Sequence, residues 1–297
     1  MSGFKDWDQK AHATDYLIFT ENMGKRLSID EVSLTNGELF TFVTNKDGHG
    51  KNGTLVASIK GTLSKDICAV LDRIPISLRN SVQETTLDMA RNMESAIARS
   101  FPNSKLVTDR FHVVKLVIDA LQHLRITHRW NEIAKENDAV AAAKKSGTKY
   151  KPDELKNGDS PKQLLARSRY ILAKKESKWT LNQKERAEIL FEKYPDLCIA
   201  HQHIMSFRNI YEQTCKHTAT ERIQQWIEKT ATLKIKEFNT VANTITYNME
   251  NILNFFNNRS TNASAESFNA KIKLFRANQR GVVDTTFFLF RLAKLFA

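Results

Sequence analysis

Between residues 27 and 108, short apolar runs, turn residues and helix patterns follow one another in an order that few folds accept. Leu27-Ser28-Ile29-Asp30-Glu31-Val32-Ser33-Leu34 reads as a first strand. Asn36-Gly37 comes next, a dipeptide suited to a two-residue hairpin because both residues tolerate positive φ. Residues 39–44, rich in aromatic and β-branched side chains, return as a second strand. Asp47-Gly48-His49-Gly50 and Asn52-Gly53 form the next turn, and residues 54–59 the third strand. Ser64 is placed to cap a helix through Ile67, Val70, Leu71 and Ile74 that ends before Pro75. Residues 82–87 form a fourth strand; Asn92 starts a helix with Ala96, Ile97 and Phe101 inward, stopped by Pro102; and residues 105–108 form a fifth strand. Tight turns make the first three strands an antiparallel meander, whereas strand–helix–strand crossovers demand parallel pairing for the last two.

Past about residue 125 the strand signal stops. Residues 125–145 and 162–256 carry apolar side chains at three and four spacing, with Thr180 capping a helix that begins at Leu181. Residues 146–161, rich in Lys, Gly, Asp and Pro, read as an exposed loop. The chain is therefore expected to be α/β: a ribonuclease H-like mixed five-stranded sheet with flanking helices, interrupted by a large all-α insertion before the last core helix. Its expected divisions are a lead-in (1–26), the first part of the core (27–124), the helical insertion (125–256) and the returning core helices (257–297). The last core helix opens with Asn262 or Ser264 as cap and turns Phe268 and Ile272 inward. Glu266, Asn269 and Lys273 share another face, with Arg259 just upstream. Residues 285–296 form a very apolar helix packed on the body.

A net charge of +12, spread along 297 residues rather than held in a tail, favours a polyanionic partner. Three scattered cysteines without a Cys-x-x-Cys pair argue against a zinc ribbon or a disulfide framework. No signal peptide or long apolar run is present, which places the chain in the cytoplasm with no membrane partner.

Three acids stand out by position. In the expected sheet the first and fourth strands are neighbours, so Asp30 meets Asp88, and the late helix brings Glu266 over both. Three hard carboxylates suit two Mg²⁺ or Mn²⁺ ions that clamp the attacking and leaving oxygens of a phosphodiester. Arg259, Asn269, Lys271, Lys273, Arg276 and Arg280 are candidates to contact DNA. Each acid has a rival. Glu31 stands beside Asp30; Asp88 can instead cap the following helix; and Asp109, at the end of the adjacent strand, competes with Asp88. His112 suits a hydrogen-bonding role under the site better than a ligand role. Asp72, Asp119 and Asp138 read as solvated, His201 and His203 as helix surface, and Trp130, Trp179 and Trp226 as core.

The runs Ser28-Ile29-Asp30-Glu31, Leu87-Asp88-Met89, Phe101-Pro102 and Asp109-Arg110-Phe111-His112-Val113-Val114-Lys115 resemble bacterial insertion-sequence DDE transposases of the ISL-three type, relatives of the Mutator-like group. Arg259-Ser260-Thr261-Asn262-Ala263, with Glu266, Asn269, Lys271, Ile272, Lys273 and Gly281, looks like that family's last motif. The resemblance implies that Asp30, Asp88 and Glu266 are the first, second and third metal-binding acids, with Asp109 and His112 as a supporting signature. It implies hydrolytic nicking at insertion-sequence ends, then attack of the freed 3′-hydroxyl on target DNA. Double-stranded DNA is the implied substrate, a homodimer the implied active form, and the nucleoid the implied place of action. Members of this type carry an N-terminal DNA-binding head; here it is expected on a separate polypeptide, or lost. The alternatives are a related metal-dependent nuclease that cuts without joining, and a transposase-derived DNA-binding protein without catalysis.

Overall fold

The computed structural model describes residues 3–34, 38–279 and 284–297. Two compact units emerge, Met1–His112 with Asn248–Ala297, and Val113–Tyr247. The first unit is mixed α/β. Among the described residues its strands are β1 (Tyr16–Ile18), β2 (Arg26–Ser33), β3 (Leu39–Asn45), β4 (Leu55–Lys60), β5 (Glu84–Leu87) and β6 (Lys105–Thr108). They form one open sheet in the order β1-β4-β3-β2-β5-β6. The pairs β1–β4, β3–β4 and β2–β3 are antiparallel. β2–β5 and β5–β6 are parallel, as helical crossovers require. Helices α1 (Ser64–Leu71), α2 (Ile76–Ser81) and α3 (Arg91–Ser100) supply the connections.

The sheet has six strands where five were expected. The extra one, β1, lies in the segment read as a lead-in, and three residues are too few to show a period. Its outer edge is closed by a side chain: Gln9 donates from Nε2 to the Ile18 carbonyl at 3.0 Å and accepts the Ile18 amide on Oε1 at 2.9 Å. An open strand edge is thereby satisfied without another strand. The expected Asn36-Gly37 turn lies outside the described residues; the pair Ser33–Leu39 flanks it. Ser64 is the first helical residue of α1 rather than its cap, because Leu63 takes the extended N-cap conformation. α1 ends at Leu71, three residues earlier than Ile74, and Pro75 serves as the N-cap of α2, a helix with no clear sequence signal.

Next come α4 (Arg110–Lys145), α5 (Pro161–Arg167), α6 (Leu181–Lys193), α7 (Pro195–Ile210), α8 (Lys216–Leu233) and α9 (Lys236–Tyr247). The run from Arg110 to Lys145 contains neither Gly nor Pro, which lets α4 continue for 36 residues until Gly147 turns left-handed at φ 67°. The second unit is built from these helices around Leu164, Leu190, Leu197, Ile204, Phe207, Ile223, Trp226 and Phe238. Thr180 caps α6 as expected, in a capping box with Gln183.

Two surface histidines turn out to be buried. His201 and His203 are 0% and 1% exposed, because α7 is covered on more than one side. His203 stacks on Trp226 at 4.3 Å and bonds Thr230 through Nε2 at 2.7 Å, and burial pushes its pKa down to about 4. Trp226 is core, as expected, but Trp130 is 61% exposed and is not.

The chain returns to the first unit through α10 (Met249–Leu253), α11 (Phe255–Asn258), α12 (Ala263–Asn278) and α13 (Thr285–Phe296). Strand alternation decides what each sheet face meets. Leu27 and Ile29 join one apolar cluster with Ile67, Leu71, Met93 and Ile97 of α1 and α3. Val32, Phe40 and Phe42 join the other with Phe268 and Ile272 of α12 and Phe288, Leu292 and Phe296 of α13. Asp30, sharing the parity of Val32, thus faces α12. No helix among the described residues is long and apolar enough to cross a membrane.

Candidate active site

Parallel register lines up the acids. Ser28 pairs with Thr86 and Leu87 with Thr108. Two residues beyond the first pair, Asp30 comes level with Asp88; one beyond the second, Asp88 comes level with Asp109. The ladder continues this far, since the Asp109 amide donates to the Leu87 carbonyl at 2.9 Å. All three therefore lie level on the face that α12 covers, Asp88 and Asp109 just past the carboxyl ends of β5 and β6 and Asp30 within β2. Such strand ends are where open sheets of this kind gather ligands.

Asp109 is the most enclosed of them, 2% exposed. Its Oδ1 accepts the Asn262 backbone amide at 3.0 Å, while its Oδ2 is buried without a hydrogen-bond partner. The carboxylate thus sits at the N-terminus of α12, where the helix dipole favours it. Neither expected cap acts through its side chain: Asn262 is the N-cap residue but makes no side-chain cap bond. Its amide instead donates from Nδ2 to the Ile29 carbonyl at 3.5 Å.

One helical turn past Asp109, His112 offers a ring nitrogen to the same place. Ligand atoms of Asp109, His112 and Glu266 all lie within 4.8 Å of one another. Asp109, the rival to Asp88, and His112, expected in support, are thus in direct reach of Glu266. His112 also meets the exposed Phe111 ring edge-on at 5.6 Å.

Asp30 lies beside this cluster. Its Oδ2 accepts from Asn269 Nδ2 at 2.8 Å and its Oδ1 from the Glu31 amide at 2.8 Å. Burial raises its pKa, the Glu31 amide and His112 oppose that, and the charges of Asp88 and Glu266 add to it. One electrostatic field therefore joins Asp30, Asp88, His112 and Glu266. Glu31 is exposed, and burial together with Asp88 and Asp30 raises its pKa as well. Asp88 accepts the Ala90 amide on Oδ1 at 2.9 Å, but Ala90 is the N-cap residue of α3 and that helix has no side-chain cap bond, so Asp88 is not its cap.

The donor set suits a hard divalent cation. It offers carboxylates, one imidazole and no thiolate. Asp109 Oδ2 in this set is buried and accepts no hydrogen bond, as are Asn262 Oδ1 and Asn269 Oδ1 on the residues that bond Asp109 and Asp30.

The cationic candidates divide. Lys273 is exposed. Lys271 donates to the Gly50 carbonyl at 2.8 Å, where Gly50 has φ 71° and an added Cβ would sit 2.9 Å from the ammonium. Arg276 lies over the Phe288 ring at 4.8 Å, and Arg259 over Phe255 at 5.3 Å. Asn269 is spent on Asp30 rather than turned to solvent. Arg280 and Gly281 lie outside the described residues. Sequence reasoning missed Lys46 and Glu84, both charged and enclosed below the acids. A carboxylate opening a β-branched strand was the one available signal for Glu84.

The raised pKa of Asp30 has a consequence for stability. A carboxyl held more tightly protonated in the folded state favours folding below its unfolded pKa, and that contribution is lost as pH rises through the folded value. At neutral pH the ionised group therefore works against the metal-free fold. Asp30→Asn is expected to raise the melting temperature by a few degrees at pH 7 in chelator, with the gain fading toward pH 4. Asn269 can rotate its amide to accept from the new donor. Calorimetry across that pH range checks it; a lower melting temperature at pH 7 contradicts it.

A family model described as Transposase matches residues 27–292. No curated protein matches the chain.

Proposed function

The chain belongs to the DDE transposase family of the ISL-three type, and from that membership we propose that it cuts and joins DNA strands at insertion-sequence ends in a metal-dependent reaction. The observation that carries this reading is the approach of Asp109, His112 and Glu266 to within 4.8 Å beside the half-buried Asp30. We assign the holding of two Mg²⁺ or Mn²⁺ ions to Asp30, Asp88 and Glu266, completed by Asp109 and His112. Such ions, when bound, activate the attacking oxygen and neutralise the leaving one. The chain's own part is to fix the donors. Asn269 holds Asp30 by one oxygen, and the Asn262 amide holds Asp109 by one oxygen, leaving the second of the latter unengaged. Exposed Lys273 and the net charge of +12 supply the attraction for DNA phosphates.

The antiparallel meander followed by parallel β5 and β6 supports a ribonuclease H-like core interrupted by a helical insertion; the proposed division puts the core at 27–124 and 257–297 and the insertion at 125–256, whereas the compact units divide after His112 and after Tyr247. Double-stranded DNA is the substrate in this reading, and two chains act on paired ends in the cytoplasm at the nucleoid. Incubating the chain with end-containing duplex, target plasmid and Mn²⁺ tests the reaction. Joined products that vanish with chelator are expected. Nicks without joined products would favour a nuclease, and metal-independent binding without nicks would favour a non-catalytic DNA-binding protein; either result removes the proposal.

A further inference from the structure

Asparagines 251, 254, 258 and 262 recur every three or four residues, and each ties the returning chain to the first part of the unit. Asn251 donates to Glu94 of α3, and Asn254 donates to the Leu106 carbonyl of β6 at 2.9 Å. Asn258 donates from Nδ2 to Glu84 Oε2 of β5 at 3.0 Å, and Asn262 donates its backbone amide to Asp109 and its side-chain amide to the Ile29 carbonyl. Of the three carboxylates that accept in this series, Glu84 is the one paired with a lysine, and it is 4% exposed. Its Oε1 lies 3.3 Å from Lys46 Nζ, which also donates to Thr86 Oγ1.

We propose that Glu84, backed by Lys46, is a positioning residue that fastens residues 258–260 to the sheet and so sets Asp109 and Glu266 at ion-holding distance. The inference rests on the metal-dependent reading above. Burial alone would push the Glu84 carboxyl up; hydrogen bonds from Asn258 and Ser260 and the charge of Lys46 outweigh it, and its pKa is lowered. Burial lowers the pKa of Lys46, while Glu84, and beyond it Asp109, act in the opposite direction. A charged acceptor holding two neighbouring donors makes a stronger anchor than a neutral one.

From Ser260 only Thr261 intervenes before Asn262, whose carbonyl accepts the Glu266 amide at 2.9 Å in the first turn of α12. The path from Glu84 to Glu266 is thus short and hydrogen-bonded at each stage. Between the two anchored positions, Arg259 stands in the left-handed region at φ 53°. Non-glycine residues persist there when their surroundings over-determine the conformation, which anchoring on both sides does.

The test measures Mn²⁺ binding to the full DNA-free chain by electron paramagnetic resonance, with circular dichroism as the folding control. Glu84→Gln and Asn258→Ala are expected to keep the fold and to weaken Mn²⁺ binding about tenfold, the usual loss when a support of a metal ligand is removed. Should Glu84→Gln leave Lys46 uncompensated and misfold, the double variant Lys46→Met, Glu84→Gln decides, because removing both charges together is tolerated far better than removing one. Folded variants that bind Mn²⁺ within about twofold of wild type, against the tenfold expected, overturn the positioning role while leaving the metal site standing. A wild-type chain that fails to bind Mn²⁺ at all takes down both.

Discussion

Glu266→Gln is expected to reduce Mn²⁺-dependent nicking by roughly 10³-fold, the scale of losing one preorganised charge stabiliser, while the fold survives. Glu266 is exposed on the first turn of α12, and its neighbours Ala265 and Phe268, not Glu266 itself, bury the helix. The isosteric amide keeps the helix and gives up only the favourable placing of a negative charge at its N-terminus, typically below ~1 kcal/mol. Chemistry and stability should therefore separate: nicking collapses and the melting curve hardly moves. Asp88→Asn and Asp109→Asn, run alongside, rank the two rival acids. Asp109 has its unengaged Oδ2 and its place in the tight cluster in its favour; Asp88 has its level register with Asp30. Retention of more than about a tenth of wild-type nicking by Glu266→Gln, against the expected thousandfold loss, would remove Glu266 from the ion-holding set.

Phe268→Ala is expected to do the reverse and act through stability. Phe268 is fully buried between Phe42 of β3, at 6.0 Å, and Phe296 of α13, at 5.1 Å, both edge-on. Truncating a buried phenylalanine costs about 3–5 kcal/mol, transfer and cavity terms together. For a unit of this size that lowers the melting temperature by on the order of 10 °C. Leu274, on the same helix but 62% exposed, is the control. Leu274→Ala should stay within about 0.5 kcal/mol. If denaturant titration finds the two substitutions equally costly, α12 is not docked on the sheet through Phe268.

The strands from β2 to β6 were readable because β-branched runs, turn residues and the two crossovers leave little choice of pairing. The acids followed from that, since a parallel register fixes which strand ends are neighbours. What escaped depended on contacts between distant parts of the chain. β1 is three residues long and owes its closed edge to Gln9, seven residues before it begins. His201 and His203 point in different directions from α7, so a one-sided helix model exposes at least one, whereas packing on several sides buries both. Asn262 looked like an ordinary cap, but its side chain reaches the Ile29 carbonyl and its backbone amide reaches Asp109, 153 positions away. The asparagine spacing in 251–262 was visible, but amides on a helix carry no marker of the acceptors they will find.

The ties that order the acids are long in sequence: Asn269 reaches Asp30 across 239 positions and Asn258 reaches Glu84 across 174. A ribosome makes Asp30, Asp88 and Asp109 early and the residues that hold them last. A nascent chain can pair its strands while it is still tethered, yet it carries no assembled centre until residues 251–269 have emerged and folded back. If the chain cuts DNA as proposed, strand breakage is thus withheld from half-made protein by the order of synthesis alone.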